Sequence, residues 1–230
     1  AIVMNGIELT KYNASAEWMV LVFFSAMFLV AWVKISYPKR FNRLLRTIIN
    51  QQSLFQVMRE ELVFSHRGSI VLTIVYILIS ALFLSLSGRL FGFYLINGEN
   101  AFLYQYLYWG ILITAIYFLK FVFTGLFFLV IQKPNFYKTN MFLVSIINKI
   151  TGLILLPISI LAAYLPVIQA VFIIKSGVII WIGLLFFRLV KEVLISKAYN
   201  IPSFYFILYL CAFEISPFLI GIKMVHVLIV

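Results

Sequence analysis

The sequence predicts an all-α, polytopic membrane protein with about six transmembrane helices, and three observations carry that expectation. The 230-residue chain is 64% hydrophobic and 11% charged, where a soluble domain carries roughly 25% charged residues. Its apolar residues stand in runs of about twenty, the length a helix needs to cross a hydrocarbon core about 30 Å thick. Its charges fall mostly between those runs and are strongly biased in sign, with 18 Lys and Arg against 7 Glu, no Asp, and a net charge of +11. A mean hydropathy of +1.10 agrees with lipid as the solvent.

The first span is expected at 18–33, bounded by Glu17 and Lys34, with Trp18 and Trp32 as interfacial anchors. The chain starts at Ala1 without a Met, so a processed or truncated start is expected. Residues 1–13 lack the basic flank of a signal peptide, and no cleavage site precedes Lys34, so the first run reads as a retained anchor. A long basic connection, 34–67, leads to a second span at 68–87. The next connection, 88–107, mixes Arg89 and Glu99 with many aromatics and is expected to lie in the interface. The third span follows at 108–131, and a short turn at 132–140 contains Pro134.

From 141 to 187 the chain is almost continuously apolar, too long for one crossing. Pro166 divides it, because proline lacks a backbone donor and disfavours helix at the residue before it. The fourth span is therefore 141–164, with Gly152 and Pro157 as candidate kinks, and the fifth is 167–187. A polar connection, 188–202, precedes a sixth span at 203–224. All of 1–230 forms one integral membrane domain.

Orientation follows from the basic residues. The connections 34–67, 132–140 and 188–202 share one side and hold twelve Lys and Arg, against Lys11 and Arg89 opposite. Cytoplasmic loops are the ones enriched in Lys and Arg, so both termini are expected on the non-cytoplasmic side.

Four lysines remain inside the expected spans: Lys120, Lys149, Lys175 and Lys223. A mid-bilayer lysine costs about 2.5–3.5 kcal/mol on insertion scales and usually faces the bundle interior. Counting helix rise from the cytoplasmic ends puts Lys120, Lys175 and Glu214 all roughly 17–20 Å deep, with Lys149 shallower at roughly 12 Å. Glu214, Lys120, Lys175 and Lys149 are therefore the candidate intramembrane charge cluster. Such a cluster can be a ligand or proton site with surplus positive charge, or an ion pair that pins the bundle. Too few acids accompany these lysines, so a partner chain could supply a carboxylate.

In 34–67, Phe41, Leu44, Leu45, Ile48, Phe55, Met58 and Leu62 recur near helical spacing, with Arg40, Arg43 and Arg46 on another face. That pattern describes an amphipathic cytoplasmic helix between spans one and two, its Arg side chains near the phosphates of an anionic inner leaflet. With Arg59, Glu60 and Glu61, this segment is the candidate surface for lipid or for a docking partner.

Catalytic constellations are largely excluded. Without Asp, no aspartate nucleophile, base or metal ligand exists. His66 and His226 are expected on opposite sides, so they cannot share a metal or haem, and no zinc-protease motif occurs. Cys211 is single, which excludes an intrachain disulfide and reads as packing. No phosphate-cradling glycine loop is present. No catalytic residue, metal or cofactor is expected, and the positive charge calls for lipid and membrane-protein partner chains, not nucleic acid.

Two local strings carry a resemblance. One is Tyr37–Pro38–Lys39–Arg40–Phe41 with Leu44–Leu45 and Arg59–Glu60–Glu61. The other is Tyr209–Leu210–Cys211–Ala212–Phe213–Glu214–Ile215–Ser216–Pro217. Together they resemble an uncharacterised bacterial family of multi-span inner-membrane proteins, the domain-of-unknown-function family 4271, over most of the chain. The resemblance implies a bacterial inner membrane in a Gram-negative envelope and implies no activity. The expected function is thus a non-enzymatic inner-membrane subunit or scaffold of a cell-envelope complex of secretion, motility or export type. The alternative is a small transporter or ion-coupled carrier using the Glu/Lys site, and an intramembrane enzyme acting on lipid ranks third.

Overall fold

The computed structural model describes residues 16–38, 66–90, 101–131 and 134–199, and these form five α-helices with no strand among them. They are α1 (Ala16–Ser36), α2 (His66–Leu90), α3 (Ala101–Ile131), α4 (Pro134–Tyr164) and α5 (Val167–Ala198). Each contains a stretch long and apolar enough to cross a membrane. The expected sixth span at 203–224 and the amphipathic segment 34–67 lie, apart from the ends of the latter, outside the described residues.

Local chemistry explains the breaks. Pro134 opens α4 at its first position, where a missing N–H costs nothing. Pro166 takes an extended conformation (φ −54°, ψ 149°) between α4 and α5, so the long apolar run divides at the expected residue. Pro157 leaves α4 a single helical element.

Three boundaries differ from expectation. Helix α4 begins at Pro134 instead of 141, so most of the expected turn 132–140 is helical. Helix α3 begins at Ala101 instead of 108, so Tyr104 and Tyr106 are helical, not part of a surface connection. Helix α5 continues through Arg188 to Ala198 instead of ending at 187. Leu189, Val190, Val193, Leu194 and Ile195 continue the apolar sequence past the charges, and no Gly or Pro intervenes to stop the helix.

Helix α2 is central and packs on α1, α3 and α4, while α4 also carries α5. The main core joins Phe23 of α1, Ile79, Leu82 and Phe83 of α2, Leu155 of α4 and Ile174 of α5. Apolar burial drives helices together weakly in lipid, so close van der Waals approach and small residues matter more. Gly152 provides such an approach. A Cβ there would stand 2.8 Å from Tyr76 Cα, so any larger residue would push α2 and α4 apart. Gly177 does the same for α5, whose backbone sits against the Phe83 ring and Ile158.

The ends of the bundle are marked by contacts between α1 and its neighbours. At one end Trp18 lies 5.2 Å from the Phe102 ring and 5.3 Å from that of Tyr106, and Arg89 sits over Phe102 at 4.9 Å. At the other end Tyr37 packs against Gly68.

Candidate functional site

Three charged side chains meet inside the bundle, contributed by α3 and α5. Because Arg188 and Glu192 are four residues apart on α5, helical geometry brings them to one face. Arg188 Nε donates a hydrogen bond to Glu192 Oε1 at 3.1 Å. From α3, Lys120 Nζ approaches the same oxygen at 3.5 Å. The Glu192 side chain is 0% exposed, with Lys120 at 11% and Arg188 at 8%, so the triad is sealed from solvent.

Glu192 is unevenly satisfied. Both cations converge on Oε1, while Oε2 is buried without a hydrogen-bond partner. One turn past Lys120, the Thr124 hydroxyl donates to the Lys120 carbonyl at 2.7 Å. Tyr76 of α2 packs at Gly152 of α4.

In such surroundings a carboxylate between two cations is strongly held, and removing one member leaves charge buried without compensation. The arrangement fastens α3 to α5. It carries one surplus positive charge from its three ionic groups.

The expected residues separate in space. Lys120 belongs to the triad. Lys175 stands exposed on α5, thirteen residues from Arg188, or roughly 20 Å along the helix. Its expected depth matched that of Lys120 only because α5 was expected to end at 187. Lys149 is buried and donates to Ser69 Oγ at 2.6 Å, one residue from Gly68 at the end of α2. The two lysines therefore serve different contacts. Glu214, Arg40, Arg43, Arg46, Arg59, Glu60 and Glu61 lie outside the described residues.

Arg188 and Glu192 are the site residues that sequence reasoning assigned to a polar connection. Their signal was present: an i, i+4 pair of opposite charge inside an apolar periodicity that runs unbroken to Ala198. Among the described residues no group of three or more His, Cys, Asp or Glu gathers as a metal site.

Among the described residues the fold is all-helical, with five helices long and apolar enough for a multi-pass membrane protein. The chain belongs to the family described as a domain of unknown function (DUF4271), whose model matches residues 19–225. No curated protein and no solved structure matches it.

Proposed function

We propose that this protein is a non-enzymatic subunit or scaffold of a multiprotein assembly in the bacterial inner membrane, of secretion, motility or export type. In this reading the chain crosses six times, with 203–224 as the last span and both termini on the non-cytoplasmic side. Segment 34–67 lies on the anionic inner leaflet through Arg40, Arg43 and Arg46. Arg188 moves from the cytoplasmic tally into the bundle, which leaves the bias of the connections strongly positive.

The observation that carries the proposal is the sealed Lys120–Glu192–Arg188 triad. The buried charge found here is spent on joining helices of the same chain, and Glu192 is closed to solvent. A protein that worked on a water-borne substrate through this carboxylate would have to expose it. Extraction of the full chain in mild detergent tests the reading: stoichiometric co-purification of other membrane chains is expected. A lone, monodisperse monomer that restores function in its host without them would overturn it.

A second reading, a small proton- or ion-coupled carrier, is favoured by Glu192 Oε2, a buried carboxylate oxygen with no hydrogen-bond partner among the described residues. Ionisable groups within membrane helices often serve as relays. Reconstituted vesicles decide between the two. Under the carrier reading, Glu192→Gln abolishes a pH- or ion-gradient-driven flux that the unaltered chain supports, whereas the scaffold reading expects no such flux from either.

A further inference from the structure

Helix α5 presents an outward face with a charge in the middle of it. Ile168, Phe172, Lys175, Ile179, Ile182 and Phe186 are all exposed, and they recur at alternating steps of four and three. Lys175 lies eight residues from Val167, roughly 12 Å along the helix. Among the described residues no hydrogen bond or ion pair holds it. An ammonium facing hydrocarbon costs about 2.5–3.5 kcal/mol unless it is paired or carried to the interface. The flanking isoleucines and phenylalanines offer it no acceptor.

We infer that this face of α5 is the seat of a transmembrane helix from a different chain, one that carries a carboxylate at the depth of Lys175. Charge complementarity identifies the occupant. The four-three spacing is that of a helix packing seam, into which a second helix fits at a shallow crossing angle. Gly183 lies beside the seam, and a Cβ there would meet open space, so a partner backbone can approach closely at that level. The partner's Asp or Glu accepts from Lys175 Nζ, and its apolar residues cover Ile179 and Phe172. This inference rests on the subunit reading and gives it a contact surface and a partner chemistry.

A photoreactive residue replacing Ile179, in the full chain in its native membrane, tests the seam. The expected result is one discrete cross-link to an apolar segment of another protein that contains Asp or Glu, identified by peptide mass spectrometry. Lys175→Gln should lower its yield about three- to tenfold, the range that one interhelical polar contact supports, and Lys175→Arg should preserve it. Cross-linking to lipid alone would overturn the inference. So would a cross-link to residues 203–224 of the same chain, to a partner segment without an acid, or one unaffected by Lys175→Gln. Co-purification of partners alongside lipid-only cross-links would sink this face while leaving the subunit reading intact.

Discussion

Two of the charges on helix α5, Glu192 and Lys175, are treated in opposite ways. Glu192 is enclosed, with a cation from its own helix and another from α3 on the same oxygen. Lys175 stands on the outside of the same helix with apolar neighbours. The comparison shows that intramembrane charge in this chain is not one cluster. The interior carboxylate is held by two cations of the same fold. The exterior charge has no hydrogen bond or ion pair among the described residues.

The comparison breaks most sharply at Glu192. Glu192→Ala leaves Arg188 and Lys120 without their shared carboxylate, and the expected loss is about 3–5 kcal/mol, read as a lower melting temperature of the detergent-solubilised chain. Glu192→Asp should recover part of it. An unchanged melting temperature for the alanine variant would mean the triad fastens nothing. A double-mutant cycle pairing Lys120→Met with Glu192→Gln should give a coupling of about 0.5–3 kcal/mol, which separates the interhelical contact from the Arg188 pair.

Next in size is the close approach of α2 and α4 at Gly152. Gly152→Leu drives a side chain into the Tyr76 backbone, with an expected cost of about 1–3 kcal/mol in the same melt. If this variant loses more than Glu192→Ala, packing and not charge holds the interior. Ser69→Ala removes the Lys149 contact at the end of α2 and should cost about 1–2 kcal/mol. The smallest effect belongs to the outer charge. Lys175→Leu should leave the isolated chain within about 0.5 kcal/mol of its starting stability, because an exposed side chain without partners contributes little. A loss comparable to Glu192→Ala would place Lys175 among the fold's own fasteners.

Much of the fold was legible because apolar runs of helical length leave few alternatives. Gly68, Pro166 and Val167 lie where the sequence analysis set their boundaries, since proline and the change from charged to apolar residues act locally. The third helix starts earlier than expected because Tyr104 and Tyr106 suit an interface and a helix end equally well. The fifth runs longer because Arg188 and Lys191 resemble a loop when read by charge alone. Helical spacing of the residues between and beyond them was the better guide.

The site was half legible. Lys120 stood out as a charge in an apolar run. Glu192 did not, because whether a carboxylate near a helix end is buried depends on how α3 and α5 pack, and no local pattern contains that. Lys175 and Lys120 illustrate the same limit, since depth along two helices does not determine which faces meet.

The order of the triad along the chain bears on how the protein is made. Lys120 leaves the ribosome well before Glu192, and at about 5–20 residues per second several seconds separate them. Throughout that interval the lysine of α3 waits for its counter-charge. In a chain interrupted between α4 and α5, Lys120 has not yet met Glu192. The ion triad thus records, at the level of a single carboxylate, that synthesis has passed the fifth helix.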